Sequence, residues 1–202
     1  MELLELMKTR HSIRRYQDRQ VPESELRTIL EAGLYAPNAG GGQRSMVVAL
    51  RGRELSDRVG RWNAACMDRT HLAGSYVSAE QPSLIDDPTI RSGFYGAPTV
   101  VAVFGQQDFL YRVPDSFCAA ENMVLMAENL GISSCIVVRG EETFANPEGE
   151  KLLRRWGVPE NYLCSVFVLL GYREGPAPKP KQRRPGRALV AEGMETAAPM
   201  EM

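Results

Sequence analysis

Residues 115–138, DSFCAAENMVLMAENLGISSCIVV, give the strongest helix signal in the chain and the strand that follows it. Apolar and small residues cover a broad surface of the predicted helix 115–130, which indicates burial on more than one side. Asp115 lies at its start as a predicted N-terminal cap, and Gly131 follows as a C-terminal stop. The apolar run 133–138 then predicts a strand.

The predicted elements on either side of this stretch are shorter. Helices are predicted at 2–9, 22–35, 54–67 and 148–156, and strands at 46–50, 97–105 and 162–170. Residues 68–95 show no clear periodicity, which predicts either a functional excursion or a loop that embraces another subunit. The tail from 173 is rich in proline and then basic. Composition alone favours a disordered tail, and the alternative is an extension that returns a second cluster of cations to the core.

The composition is that of an ordinary globular protein. The chain has 202 residues, of which 44% are hydrophobic and 24% charged, and its net charge is −1. These values predict one domain over 1–202, without a charge field that would attract nucleic acid or an anionic membrane. No apolar run approaches the roughly 20 residues of a membrane span, and the acidic start lacks a signal-peptide pattern. We therefore expect a cytoplasmic protein.

The four cysteines do not form a metal-binding pattern. None of Cys66, Cys118, Cys135 and Cys164 has CxxC spacing, and the two histidines lie far apart in sequence. A zinc or iron–sulfur site is therefore not expected. The last three of these cysteines lie in apolar surroundings, which predicts buried thiols.

The segment RHSIRRY at 10–16 is the first candidate functional segment. Residues two apart point the same way in an extended segment, so Arg10, Ser12 and Arg14 would share one side. Arginine makes bidentate, charge-assisted bonds to phosphate oxygens, and serine adds a neutral donor. The segment therefore predicts a phosphate site. The simpler alternative for so short a motif is a solvated charged loop.

The segment APNAGGGQ at 36–43 is the second candidate. Three consecutive glycines allow the backbone to approach a ligand closely, and Asn38 and Gln43 offer amide groups. One interpretation is a loop that clasps a flat polar ring, and the other is a flexible connector into the next strand. The segment is neither a Walker loop nor a dinucleotide fingerprint, because neither GK[ST] nor GxGxxG is present.

Seven segments occur in the order found in one family. They are RHSIRRY at 10–16, YAPNAGGGQ at 35–43, APTVVAVFG at 97–105, DSFCAAENMVLMAENLGISSC at 115–135, WGVPENY at 156–162, GY at 171–172 and KQRRP at 181–185. Together they span essentially the whole chain, which resembles the FMN-dependent nitroreductase family. The resemblance implies an α+β fold with a central, mostly antiparallel sheet flanked by helices. It also implies a homodimer in which the C-terminal tail embraces the partner.

The resemblance further implies a set of cofactor-binding residues. Arg10, Ser12 and Arg14, with His11 nearby, would hold the FMN phosphate together with Lys181 and Arg183 from the tail. Pro37, Asn38, Ala39 and Gln43 would reach the flavin ring from the partner subunit. The turn at Arg139 and Gly140 would donate a backbone hydrogen bond toward flavin N5. Asn63 is a further candidate, for the pyrimidine edge of the flavin.

Two departures from the family pattern affect the substrate pocket. Arg44 and Ser45 follow Gln43 where many relatives have Pro-Trp or Pro-Phe, and residues 68–95 match the family poorly. Substrate specificity is therefore the least transferable property. Four aromatic residues in or near the segment 68–95 are candidates either for the pocket or for the core. They are Tyr76, Phe94, Tyr95 and Phe109.

The implied activity is that of an NAD(P)H-dependent FMN oxidoreductase. A reduced nicotinamide would transfer hydride to FMN, which would reduce a nitroaromatic, a quinone or a similar acceptor in a ping-pong cycle. No catalytic side chain is needed for the hydride step, and none is assigned. The alternatives are other chemistry on the same fold, such as dehalogenation or flavin fragmentation, and a non-catalytic protein that binds flavin or RNA. The acceptor and the choice between NADH and NADPH stay open.

Overall fold

The computed structural model describes residues 2–68, 70, 75–191 and 197–199 of the chain. Four strands form a central sheet: β1 (Ser45–Arg51), β2 (Thr99–Gln106), β3 (Ser133–Val137) and β4 (Tyr162–Gly171). Their order is β1-β2-β4-β3, and every neighbouring pair is antiparallel. One edge of β3 is therefore free of a sheet partner within this sheet.

Six helices occur in the described part of the chain. They are α1 (Leu3–Thr9), α2 (Glu23–Leu34), α3 (Arg53–Ala65), α4 (Arg112–Asn129), α5 (Gly140–Phe144) and α6 (Pro147–Arg155). A 3-10 turn covers Ala39–Gly41. In the tail, two short strands pair antiparallel, β5 (Leu189–Ala191) and β6 (Ala197–Pro199).

The sheet separates two apolar layers. Val100 and Ala102 of β2 pack with residues of α3, α5 and α6, whereas Val101 and Val103 pack with residues of α2 and α4. Successive side chains of a strand point to opposite faces, so a central strand covered on both sides must be apolar at every position. This explains the continuous apolar runs of β2 and β4. Burial of each large apolar side chain contributes about 1.5–3 kcal/mol to stability.

Strand β4 has a β-bulge near its start, and this bulge turns Cys164 toward the face of the sheet that α5 covers. Val103 pairs with Val166, whereas Phe104 pairs with Cys164, so Ser165 has no pairing partner on β2. The bulge leaves Cys164 in the layer of α5 while Val166 lies in the layer of α4. Cys164 consequently lies under the first residue of α5.

The start of α4 differs from the sequence prediction. The helix begins at Arg112, so Asp115 lies inside its first turn and caps nothing. Both carboxylate oxygens of Asp115 instead accept hydrogen bonds from the main-chain amide of Ala39, at 3.2 Å each. The carboxylate is used in tertiary structure, where it holds the glycine-rich loop against α4.

The burial of α4 also differs from the prediction. Its core-facing side packs against α2 and the sheet, but Val113, Phe117 and Cys118 are exposed. The predicted burial of Cys118 is therefore wrong, because this chain alone covers only one side of the helix. The predicted burial of Cys135 and Cys164 is confirmed.

The antiparallel sheet with helices on both faces confirms the predicted α+β class. Within the predicted excursion, residues 75–95 hold neither helix nor strand, and 69 and 71–74 lie outside the described residues. In the tail, 192–196 and 200–202 likewise lie outside them, and the embrace of a partner stays a prediction. No helix among the described residues combines the length and apolar character needed to cross a membrane.

Candidate functional site

The segment 10–16 lies along the free edge of β3. The amide of Ile13 donates to the carbonyl of Ser134 at 2.9 Å, and Ser12 forms a parallel bridge to Ser134. Ile13 and Tyr16 are buried in the core, and the Tyr16 hydroxyl donates to the Ile13 carbonyl at 2.7 Å. Because Ile13 and Tyr16 are anchored in the core, the polar side chains next to them in the segment face outward.

The outward face of this segment forms a cavity of about 250 Å³ with the C-terminal tail and with residues near 80. The cavity brings together six predicted site residues from the two ends of the chain. It is lined by Lys8, Arg10, His11, Ser12, Arg14, Val77, Ser78, Glu80, Gln81, Pro178, Lys179, Lys181 and Arg183. We call it the cationic cavity.

The cationic cavity is strongly positive. Its lining includes three arginines and three lysines but a single carboxylate, that of Glu80. None of the ion pairs in the described part of the chain involves Arg10, Arg14, Lys181 or Arg183. Unpaired guanidinium groups beside a serine hydroxyl match the donor geometry that phosphate oxygens accept.

His11 links the tail to the segment 10–16. Its Nδ1 lies 2.5 Å from the carbonyl oxygen of Thr9, and its Nε2 lies 3.1 Å from the carbonyl oxygen of Lys179. Both ring nitrogens thus face main-chain acceptors. His11 borders the cavity, but its contacts are those of a residue that holds the tail in place.

Arg14 is held by Gln81, a residue without a local sequence signal. The Arg14 amide donates to Gln81 Oε1 at 2.6 Å, and Arg14 Nη1 donates to the Gln81 carbonyl at 3.1 Å. The guanidinium carbon also lies 5.8 Å from the centre of the Tyr95 ring. Sequence reasoning missed Gln81 and Lys8, because neither belongs to a recognisable pattern.

A second cavity, of about 170 Å³, adjoins the cationic cavity and shares Arg14 and Val77 with it. Its lining is largely apolar and includes Met67, Leu84, Tyr95, Cys135, Ile136 and Val137, with Arg139 at its end. We call it the apolar slot. Burial raises the pKa of the Cys135 thiol, although the charge of Arg14 and a hydrogen bond with Ser12 oppose this. An apolar slot beside a cationic cavity suits a ligand with a flat ring at one end and a phosphate at the other.

Of the other aromatic candidates, Phe94 belongs to the core. It is fully buried, and its ring centre lies 4.7 Å from that of Phe167. The ring of Phe109 lies under the guanidinium group of Arg44, with 4.5 Å between the ring centre and the guanidinium carbon. Tyr76 is exposed. Tyr95 alone among the four lines the apolar slot.

The turn between β3 and α5 is held in an unusual backbone conformation. Arg139 has φ 68°, in the left-handed region, and its Nη2 donates to Asn63 Oδ1 at 3.0 Å. Asn63 Nδ2 in turn donates to the Val138 carbonyl at 2.8 Å and to Thr143 Oγ1 at 2.9 Å. Asn63 is fully buried, and its side chain stabilises this turn. Its candidate role at a flavin edge stays a prediction.

Gly140 allows α5 to approach β4 closely. A Cβ atom at this position would lie 2.7 Å from both the carbonyl oxygen and the Sγ of Cys164. Residue 140 must therefore lack a side chain if the turn is to keep its place at the end of the apolar slot.

The loop 36–43 does not reach the cationic cavity within one chain. Pro37, Asn38 and Gln43 line a separate cavity of about 130 Å³ beside α4. The loop is ordered by its own bonds, since the Gln43 amide donates to Asn38 Oδ1 at 2.8 Å and the Ala39 amide donates to Asp115. A contribution of this loop to the site of a partner subunit stays a prediction.

Among the described residues, no group of three or more His, Cys, Asp or Glu side chains is placed to hold a metal ion. The cationic cavity and the apolar slot together support the binding of a phosphorylated ring compound.

Known proteins share this architecture. The model of the nitroreductase family matches residues 7–172. A nitroreductase from Bacteroides fragilis, solved with bound FMN, is 33% identical with a TM-score of 0.77, and the match covers 95% of this chain and 100% of that one. A nitroreductase with bound FMN from Desulfitobacterium hafniense has a TM-score of 0.75 and is 24% identical, over 95% of this chain and 99% of that one. The latter likeness concerns the fold alone.

A similar relative is found in an archaeon. A protein of Archaeoglobus fulgidus that carries the provisional name NADH dehydrogenase/NAD(P)H nitroreductase is 28% identical over 172 residues. The match covers 85% of this chain and 85% of that protein.

Proposed function

Since the chain belongs to the nitroreductase family, we propose that it is an FMN-dependent oxidoreductase. The proposed electron donor is NADH or NADPH, and the proposed acceptor is a nitroaromatic, a quinone or a similar small molecule. When bound, FMN would supply the hydride and electron transfer between the nicotinamide and the acceptor, so we expect ping-pong kinetics. The bound FMN of the Bacteroides fragilis relative and the NAD(P)H nitroreductase name of the archaeal one support the cofactor and the donor.

The observation that carries the proposal is the pairing of the cationic cavity with the apolar slot. Cations from the two ends of the chain meet in the first, and the second begins at the same Arg14. The residues present therefore fit FMN, which has a phosphate monoester at one end and a flat tricyclic ring at the other. A serine hydroxyl and several guanidinium and ammonium groups neutralise the phosphate, and the slot excludes water from the ring.

In this proposal the side chains bind and orient, and none transfers a proton. Arg10, Ser12, Lys181 and Arg183 hold the phosphate end. Gln81 fixes Arg14 at the junction of the two cavities. The guanidinium group of Arg14 is therefore already oriented before the ligand binds. The rate is raised mainly by positioning and by fixed charges, which need no reorganisation during the reaction.

The turn at 139–140 is the proposed backbone donor to the ring. Arg139 in the left-handed region ends β3 and starts α5, and the first amides of a helix have no partner inside it. The bonds of Arg139 to Asn63 keep the turn rigid. A donor held in this way would stabilise an electron-rich ring.

We also propose a homodimer with the cofactor at the subunit interface. Helices α1 and α2 both pack against α4, and large apolar side chains are exposed on these helices and beside their ends. They are Leu3, Leu4, Met7, Leu34, Tyr35, Leu110, Tyr111, Val113 and Phe117. Exposed apolar side chains in such number are typical of surfaces that a partner covers. The loop 36–43 follows α2 directly, so a partner docked on these helices would receive Pro37, Asn38, Ala39 and Gln43.

The visible absorption spectrum of the purified protein, before and after anaerobic addition of NADH or NADPH, tests the proposal. We expect flavin bands that bleach when the nicotinamide is added. Flavin bands that persist would contradict the nicotinamide-dependent activity and favour another chemistry on this fold. Colourless protein that takes up no added FMN would contradict the proposal as a whole.

The non-catalytic alternatives predict different results. A flavin-storage protein would show flavin bands without turnover of any acceptor, and an RNA-binding protein would show a salt-sensitive gel shift without a chromophore. The cytoplasmic location expected from the sequence belongs to the proposal as well.

A further inference from the structure

A fourth cavity, of about 410 Å³, lies on another side of Arg14. Four arginines line it, and three of them come from different parts of the chain: Arg15 from the segment 10–16, Arg61 from α3 and Arg91 from the irregular segment before β2. We call it the arginine cavity. Its volume lies within the range of roughly 300–1,000 Å³ that is usual for small-molecule sites.

The guanidinium groups of the arginine cavity lack carboxylate partners. None of the ion pairs in the described part of the chain involves Arg15, Arg61 or Arg91. Two aspartates, Asp57 and Asp87, also line the cavity, so positive groups outnumber negative ones by two. Because positive groups are in excess, they repel one another on balance, and an anion relieves that repulsion.

The carboxylate of Asp87 is already engaged. Its Oδ1 accepts hydrogen bonds from the Thr89 amide at 2.8 Å and the Thr89 hydroxyl at 2.7 Å. These bonds lower the pKa of Asp87, and the nearby charge of Arg15 lowers it further. Asp57 precedes Arg61 by one helical turn but forms no ion pair with it. The arginines are thus left for a ligand.

The arginine cavity is continuous with the apolar slot, because Arg14 and Tyr95 line both. Tyr95 has φ 53°, a backbone conformation that a bulky residue rarely adopts, so its ring is held at this junction against a conformational preference. A nucleotide whose nicotinamide meets the flavin held in the slot can extend past Tyr95 into the arginine cavity. The two ends of such a ligand would be an aromatic ring and a phosphate.

We infer that the arginine cavity binds the ribose phosphate of NADPH and makes this enzyme prefer NADPH to NADH. The inference rests on the proposed function, in which the reduced nicotinamide reacts with the flavin held in the neighbouring slot. NADPH differs from NADH by one phosphate monoester on the adenosine ribose, and arginine is the residue that commonly receives this group. NADH lacks this monoester, and a cavity that received only the pyrophosphate common to both nucleotides would not discriminate between them.

Steady-state kinetics of Arg61→Ala and Arg91→Ala test the inference. Arg58→Ala is the matched control, because Arg58 lies on the same helix and is exposed but does not line the cavity. We expect the wild-type KM for NADPH to be at least about tenfold below that for NADH, since one charge-assisted contact is worth about that factor. Arg61→Ala and Arg91→Ala should raise the KM for NADPH about tenfold and leave the KM for NADH and both kcat values within about twofold.

A binding titration gives a readout that does not depend on turnover. The protein as purified is titrated calorimetrically with adenosine 2′,5′-bisphosphate, with AMP and with inorganic phosphate. We expect the bisphosphate to bind most tightly, and Arg61→Ala but not Arg58→Ala to remove that advantage. Equal affinity for AMP and the bisphosphate, or binding no tighter than that of inorganic phosphate, would overturn the inference.

The failure of the inference and that of the proposed function give different results. Bleaching by NADH and NADPH with equal KM, or an NADPH preference unchanged in both arginine variants, would overturn the inference and leave the oxidoreductase proposal intact. Bleaching by neither nucleotide would refute the nicotinamide-dependent function, and with it the preference for NADPH as donor.

Discussion

The main-chain amide of Arg14 donates a 2.6 Å hydrogen bond to the side-chain oxygen of Gln81, which lies 67 residues further along the chain. A second bond, from Arg14 Nη1 to the Gln81 carbonyl, fixes the guanidinium as well. Gln81 is buried although it belongs to a segment without regular structure. The irregular segment therefore does more than cover the core, because it orients the arginine that lines the cationic cavity, the apolar slot and the arginine cavity.

Gln81→Ala should weaken the binding of FMN. The substitution removes the acceptor of the Arg14 amide, and loss of a partner from a mostly buried donor costs about 1–3 kcal/mol. We expect the dissociation constant for FMN to rise about tenfold, as measured by fluorescence titration of the apoprotein. Glu80→Gln is the control of opposite sign, because it removes the single carboxylate of the cationic cavity and should leave FMN affinity unchanged or higher. Equal loss of affinity in both variants would contradict this role of Gln81.

Arg10→Ala and Arg183→Ala should each raise the dissociation constant for FMN about 10- to 100-fold, because a charged hydrogen bond contributes about 1.5–3 kcal/mol. The double variant should lose less than the sum of the single losses if both side chains hold one phosphate. Arg187→Ala is the control, since Arg187 is exposed in the same tail and does not line the cavity. Full retention of FMN in both single variants would refute the phosphate assignment.

Gly140→Ala should destabilise the protein by about 1–3 kcal/mol, as overpacking in a rigid core typically does. The added Cβ would meet the backbone of Cys164 at 2.7 Å, and backbone atoms cannot move aside as a flexible side chain can. The free energy of unfolding is measured by denaturant titration. Glu142→Ala, an exposed position on the same short helix, should change it by less than about 0.5 kcal/mol. Similar stability of both variants would show that α5 can shift away from β4.

Sedimentation analysis should give a mass of about twice the 22.4 kDa of the chain. Phe117→Arg should shift the protein toward monomer and lower its FMN content, because a charge would enter the proposed apolar interface. Lys151→Glu, on α6 at the other face of the sheet, is the control and should leave the mass unchanged. A monomer that retains FMN would contradict the proposal of a shared site.

In the variant Phe117→Arg, which should be shifted toward monomer, iodoacetamide should label Cys118 well before Cys135 and Cys164. Burial raises the pKa of the Cys135 and Cys164 thiols, so both stay protonated near neutral pH, and alkylation requires the thiolate. Cys118 is exposed on α4. Peptide mass spectrometry over time measures the order of labelling. Labelling of Cys164 as fast as that of Cys118 would show that β4 is not protected by α5.

Slower labelling of Cys118 in the wild-type protein would indicate that a partner subunit covers this part of α4. Val113 and Phe117 lie on the same exposed part of α4, so a partner that covers them would also shield this thiol. Comparison of labelling in wild type and in Phe117→Arg would therefore report on the proposed interface.

Most of the secondary structure was predictable because its signals are local. The helix now bounded by Arg112 and Asn129 and the strands β2 and β4 follow from apolar periodicity and from apolar runs. Asp115 was misassigned because an acidic residue near a helix start usually caps it, and nothing local reveals a hydrogen bond to Ala39. Cys118 was misassigned because an apolar neighbourhood in sequence does not tell which side of a helix the rest of the chain covers.

The sequence by itself determined which elements form and which residue types are available to bind a phosphate, since periodicity, spacing and the order of segments survive any later packing. The family resemblance implied that Lys181 and Arg183 meet Arg10, and the tertiary structure places all three in one cavity. Only the tertiary structure decided that Gln81 holds Arg14 and that the Asn63 side chain forms hydrogen bonds inside a turn. The physical reason is that these contacts join segments far apart in the chain. They exist because the segment 10–16 lies on the free edge of β3, a placement that depends on how the whole sheet is assembled.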